Sequence, residues 1–337
     1  MTKQQKIGVI LAQVGTPEAP TKQALKPYLR AFLSDERIID SPRWMWLPIL
    51  HAIVLQRRPA KIAKHFEEIW TDKGSPLLST SLAQVNGVQK RLGSKFVVKL
   101  GFAYAEPSMN TAMQELHEAG ITRVITIPMF PQYSTTTTAS VYDEIMHHAL
   151  GRQKRRGKPI KKYSPALRFV EPFYDDPAYI DVLANNIKQQ IKKLAHAPDK
   201  ILLSYHGIPK SYVDEGDPYP EHCETTTKLL VKKLGWKKDQ YKMTYQSRFG
   251  RAEWLQPYTQ IELPNLASQG IKRPLIIAPG FTTDCLETIH ELGIEGAELY
   301  AEGGGTEKNL MTLKCLNEDP KFLDYLAKKV SAHAGGW

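Results

Sequence analysis

At 337 residues the chain is long for one hydrophobic core and predicts two domains of roughly 150 residues each. With 42% hydrophobic and 24% charged residues and no low-complexity tract, the composition excludes a disordered or fibrous chain. The formal charge of +10 favours anionic partners such as carboxylates, phosphates or an acidic membrane surface, while no nucleic-acid-binding module is legible and nucleic acid is not expected.

In chain order, IGVILAQVG reads as a strand closed by the turn GTPEAPT, and KQALKPYLRAFLSD as a helix ending near Asp35. Gln13 and Val14 therefore face a strand-end crevice. Because MTKQQKIGVI enters a strand almost at once, no signal peptide is expected. The three cysteines, Cys223, Cys285 and Cys315, are scattered without a CxxC pair and argue against a disulfide framework. Both features predict a reducing, cytoplasmic location.

The next segment, SPRWMWLPILHAIVLQRRP, is unusually apolar. It is too short for a bilayer, which takes about 20 apolar residues, and Pro48 is expected to break its helical pattern. Two readings stay open: a buried helix, or an apolar lip that meets a hydrophobic ligand or the membrane interface.

Helix KIAKHFEEIW, the loop TDKGSPLLSTS, a further helix, strand FVVKLGFAY, helix SMNTAMQELHEAG and strand RVITIPMF follow. The basic run RQKRRGKPIKK after Gly151 reads as a solvated loop, being broken by Gly157 and Pro159 and lacking aromatics. EAGITRVITIPMFPQYSTTTTAS then finds a counterpart in SQGIKRPLIIAPGFTTDCLETI. A repeat on the scale of a whole lobe predicts a duplicated α/β unit. The expected fold class is thus α/β, two similar Rossmann-like lobes, each a parallel sheet flanked by helices, with an active-site cleft between them. The expected domains are 1–170, carrying the lip, and 171–337, whose final helix, DPKFLDYLAKKV, packs back on the first lobe.

In the second half, the apolar run Ile201–Leu203 delivers His206 into a turn made by Gly207 and Pro209. An imidazole at a strand's carboxyl end accepts a proton near neutral pH or binds a metal. The alternative is a histidine that caps the strand and bonds its loop. Further on, Thr282 or Thr283 is expected to cap a helix that places Asp284, Glu287 and Glu291 at i, i+3 and i+7 on one face. Stacked like charges point to a compensating cation or proton, although acids near a helix N-terminus also favour the macrodipole.

LLSYHGIPKSYVDEGDPYP resembles the signature of the ferrochelatase family, and GTPEAPT with LRAFLSDERIID, KGSPLL, PQYS, YQSRFGRAEWLQPYT and PGFTTDCLETIHELGIE resemble further family segments in the same order. The resemblance implies insertion of Fe²⁺ into protoporphyrin IX to give protohaem. It implies that His206 binds metal and accepts a proton, with Glu287 as its paired glutamate. Asp284 and Glu291 would line a proton or metal path, and Val14, Phe130, Tyr133 and Trp254 the porphyrin pocket. Cys285 and Ala103 depart from residues some relatives carry, a histidine and an arginine. No permanently bound cofactor is expected, Fe²⁺ being a substrate, and no iron–sulfur cluster, since Cys315 alone cannot replace a cysteine-rich ligand set. The expected partners are protoporphyrin IX and Fe²⁺, with peripheral contact at the inner membrane surface. A coproporphyrin or cobalt chelatase and a non-catalytic porphyrin or haem carrier are the alternatives.

Overall fold

The computed structural model describes residues 5–150 and 163–337, so the basic run at 152–162 lies outside the described residues. The chain divides into two compact units, one of Met1–Phe130, Thr135–Pro172 and Leu323–Trp337, the other of Pro131–Ser134 and Phe173–Phe322.

Four parallel strands form the sheet of the first unit: β1 (Ile7–Gln13), β2 (Phe96–Phe102), β3 (Arg123–Pro128) and β4 (Ala166–Phe169), in the order β2-β1-β3-β4. β1 is buried along its whole length, which is why its sequence is a continuous apolar run and not an alternating one. Helices begin where capping residues allow. Thr21 accepts from the Ala24 N–H ahead of Lys22–Leu33, and Ser108 accepts from Thr111 ahead of Met109–Glu118. Ile10, Met109, Met113, Leu116, Val124 and Ile145 make the core between sheet and helices.

In the second unit, β5 (Lys200–His206), β6 (Tyr241–Gln246), β7 (Pro274–Ile277) and β8 (Met311–Thr312) are also all parallel, in the order β6-β5-β7-β8. The two sheets therefore share one strand order, as a duplicated lobe requires. Leu202, Leu263, Leu266, Ile276, Leu292 and Tyr300 fill the core beside β7. The two-residue strand β8 carries too little pattern to be read from sequence.

The closing helix, Pro320–His333, straddles the division, and its residues from Leu323 onward belong to the first unit. There Arg91 pairs with Asp324, and the Arg168 guanidinium lies 4.0 Å from the Trp337 ring centroid.

Pro48 does not end its helix. Arg43–Ile49 runs through a π-helical turn, Leu50–Val54, into Leu55–Ile69, the wider turn taking up the irregularity just after the proline. Leu50 and Leu55 are buried, but Trp44 is 81% exposed and Met45, Ile49 and Ile53 are exposed beside it. The segment thus turns an apolar face to solvent, and the fully buried reading does not hold.

Candidate active site

His206 is the last residue of β5 and is partly buried. Its Nδ1 stands 2.6 Å from the Gly207 carbonyl oxygen. A carbonyl only accepts, so Nδ1 carries the proton and Nε2 keeps its lone pair in the neutral ring. The atom free to take a proton or a metal is thereby fixed. The loop contact that a capping histidine would make is present, and it fixes the orientation of the ring.

Gly207 makes this geometry possible. A Cβ there would stand 2.9 Å from the Gln246 carbonyl oxygen and 3.2 Å from Trp254 Cε3. The Gly207 N–H donates to that same carbonyl at 2.8 Å, and the Leu255 N–H donates to Ile208 at 3.1 Å. Trp254, bridged to Pro209, is thus carried alongside the turn that follows His206.

The acidic segment differs from its expected form. The helix starts at Leu286, no side chain caps it, and Glu287–Glu295 is π-helical. Asp284 lies before the helix, so the expected i, i+3, i+7 face does not exist. Instead, Asp284 fastens the chain after β8. Its Oδ1 accepts from the Cys315 N–H at 3.0 Å and from Thr288 Oγ1 at 3.2 Å, and its Oδ2 accepts from Asn317 Nδ2 at 2.7 Å. In the wide π turn, residues four apart stay close to one face, which aligns Glu287, Glu291 and also Glu295. Glu295 shares the four-residue spacing of Glu287 and Glu291, a same-face spacing already legible in the sequence.

Glu291 is held from several sides. The Ser247 N–H donates to Oε1 at 2.6 Å, while Ser247 Oγ at 2.5 Å and Gln246 Nε2 at 3.2 Å donate to Oε2. Ser247 reaches it twice by adopting a left-handed backbone, φ 64°. Burial pushes the Glu291 carboxyl above the ordinary glutamate range, and the Glu287 charge adds to this. The Ser247 and Gln246 bonds and His206 pull the other way without cancelling it. Nothing in the sequence marks Gln246 or Ser247 beyond the YQSRFG motif.

The Cys285 thiol, buried and facing Glu287, is pushed far up by burial first and by that carboxylate second. It stays a thiol, and so do Cys315 and Cys223. Among the described residues no three His, Cys, Asp or Glu side chains stand together as a metal-holding cluster.

The remaining sequence-predicted residues divide between the units. Val14 and Phe130 belong to the first, where the Val14 carbonyl accepts from Tyr104 at 3.1 Å and Phe130 packs on the core. Tyr133 belongs to the second, on a segment sewn to the helix Tyr219–Leu234 and the turn before it. Gln132 Nε2 donates to Thr226 at 3.0 Å, the Tyr133 N–H to His222 Nδ1 at 3.1 Å, and Ser134 Oγ to Asp217 at 2.9 Å.

This arrangement coincides with a family match over nearly the whole chain: the model described as Ferrochelatase covers residues 6–334. The chain belongs to the ferrochelatase family. Relatives named ferrochelatase include those of Photobacterium profundum, 40% identical over 99% of this chain and 100% of the relative, and Vibrio parahaemolyticus, 42% identical over 98% and 99%. Among solved structures, SirB from Bacillus subtilis with Fe3+ matches with a TM-score of 0.58 at 13% identity, covering 98% of this chain and 96% of that one. The sirohydrochlorin chelatase SirB in complex with cobalt, from Bacillus subtilis subspecies spizizenii, matches with a TM-score of 0.55 at 11% identity over the same shares. At such identities the likeness speaks to the fold, which this ferrochelatase-family chain shares with them.

Proposed function

We propose that this chain is a ferrochelatase that inserts Fe²⁺ into protoporphyrin IX, with His206 and the Glu287–Glu291 face as its working groups. Iron and porphyrin are both substrates, and no resident cofactor takes part. The observation that carries the reading is the fixed tautomer of His206, which leaves the Nε2 lone pair available, together with the Glu291 carboxylate that feels the His206 ring and is set by Gln246 and Ser247.

Metallation exchanges two pyrrole N–H protons for one dication. His206 Nε2 accepts one proton, or first holds the metal, and Glu287 accepts the other or passes the cation on. Glu291, with its raised affinity for protons, takes protons onward from that pair, and Glu295 continues the same row. Trp254 and Tyr133 press on the macrocycle, so that binding energy from the rest of the ring favours the bent, metallated geometry. A carrier that only stored porphyrin would gain nothing from acids beside an apolar ring.

The exposed apolar face at Trp44, Met45, Ile49 and Ile53 serves the poorly soluble substrate, by resting on the inner membrane surface. No helix among the described residues is long and apolar enough to cross a membrane.

Mixing the protein anaerobically with protoporphyrin IX or coproporphyrin and Fe²⁺, Co²⁺ or Zn²⁺, and following the porphyrin spectrum, tests the assignment. Turnover with Fe²⁺ and protoporphyrin IX is expected to be fastest. Faster metallation of coproporphyrin would move the substrate, and stoichiometric binding without metallation would return the carrier reading.

A further inference from the structure

We infer that Gln246 is a positioning residue for iron insertion, a side chain that ties the strand carrying His206 to the π-helix carrying the glutamates. The inference rests on the assignment of His206, Glu287 and Glu291 made above.

Gln246 pairs with His206 in the parallel register of β5 and β6 and is 1% exposed. Its amide orientation is forced by its partners. Oε1 accepts from Ser204 Oγ at 2.9 Å, and Nε2 donates to the Glu287 carbonyl at 3.0 Å and to Glu291 Oε2 at 3.2 Å. A carbonyl and a carboxylate only accept, so the nitrogen has to face the π-helix and the oxygen has to face β5. Ser204 stands two residues before His206 on the same strand, and its hydroxyl is backed by those of Thr259 and Thr244, each contact 2.8 Å. All of these hydroxyls are buried.

The arrangement has a consequence for geometry. From outside the helix, the one Gln246 amide nitrogen donates both to the Glu287 main-chain carbonyl and to the Glu291 carboxylate. Both carboxylate-bearing residues are therefore referenced to the strand that ends in His206. Ser247 holds Glu291 as well, but only Gln246 links the pair to β5 by way of Ser204.

The test compares kcat and the protoporphyrin KM of Gln246→Met, Glu291→Gln and the double variant, with thermal unfolding followed in parallel. Methionine keeps the volume and removes the amide. A carboxylate displaced by about 1 Å costs up to roughly a hundredfold, so kcat of Gln246→Met is expected to fall about 10- to 100-fold with KM held within about twofold. If Gln246 acts through Glu291, the double variant stays within about twofold of Glu291→Gln. Should Gln246→Met fail to fold, Ser204→Ala, which frees the amide to rotate, is expected to lower kcat about three- to tenfold at unchanged KM.

Normal kcat in Gln246→Met, or in Ser204→Ala where that variant stands in, overturns the inference; so does a double variant slowed by the product of the single effects. Glu291→Gln separates the two levels of the argument. Unchanged turnover there overturns the assignment of Glu291 and this inference with it. A slowed Glu291→Gln beside a normal Gln246→Met overturns this inference alone.

Discussion

Val14 and His206 occupy the same place in two copies of one sheet. β1 meets β3 with Gly8 opposite Val124, and β5 meets β7 with Lys200 opposite Pro274, four residues after Gly120 and Gly270 of the repeated helix-to-strand turns. Counting along each strand from those pairs brings LAQVGTP onto LSYHGIP, with Val14 on His206 and Gly15 on Gly207. One position further on the neighbouring strand, Ala103 falls where the second unit has Gln246. The Ala103 N–H donates to the Gln13 carbonyl at 2.9 Å, which continues the β1–β2 pairing past Phe102, and His206 pairs with Gln246 in the β5–β6 register. One scaffold thus presents an apolar pair in one unit and an imidazole with an amide in the other.

That asymmetry predicts a split in kinetics. His206→Ala is expected to lower kcat by at least about 100-fold, the usual range for a lost general base, while porphyrin binding stays measurable by absorbance. Val14→Ala is expected to raise the porphyrin KM several-fold with little change in kcat, the mark of lost binding that is uniform along the reaction. Near-normal turnover by His206→Ala would remove it from the chemistry.

Asp284 and Glu287 should separate stability from turnover. Asp284→Ala leaves the buried Cys315 N–H without this acceptor, and a buried orphan of this kind costs about 1–3 kcal/mol. Urea unfolding should show that loss. Glu287→Gln makes no such orphan, so slow metallation at a parental unfolding midpoint is expected. If Asp284→Ala instead kept full stability and lost turnover, the aspartate would belong to the proton path.

Sequence pattern carried the larger architecture because parallel strands buried on both faces leave long apolar runs, and the repeat around Gly120 and Gly270 exposed the shared lobe. The His206 turn was legible for the same reason: an apolar strand stops at Gly207. Local detail was lost where it depends on hydrogen bonds across the fold. The π-helix Glu287–Glu295 has no distinct composition, so a 3.6-residue period put Asp284 on a face it does not join. Gln246 and Ser247 acquire their importance only when β6 is set beside β5. The lip at Trp44 was legible as apolar, but which side chains face outward required the backbone.

The lip yields a binding prediction. Trp44→Ser with Ile53→Ser removes apolar surface that is 81% and 49% exposed, so stability should fall by no more than about 1 kcal/mol. Retention on anionic liposomes in a flotation assay should fall in the double variant. Equal retention of parent and variant, or none by either, would free the lip from the membrane and leave it to the macrocycle.

His222 predicts how acid acts on the segment that bears Tyr133. Its Nδ1 accepts from the Tyr133 N–H, and its ring stacks on Tyr174 with centroids 3.6 Å apart. Accepting requires a neutral ring. Burial holds the His222 pKa below the ordinary histidine value, although Asp175, Asp217 and Glu221 pull it upward. The folded protein then binds fewer protons here than the unfolded chain, so stability rises with pH across this window. The contribution is complete above the ordinary value of about 6.5 and is lost as pH falls from there toward the lowered folded value. Unfolding midpoints in urea measured between about pH 7.5 and 5 should therefore decline more steeply for the parent than for His222→Asn, whose amide oxygen accepts near the Nδ1 position without titrating. Parallel slopes would show that the ring is not neutral by necessity, and that the Tyr133 segment does not depend on the His222 contact.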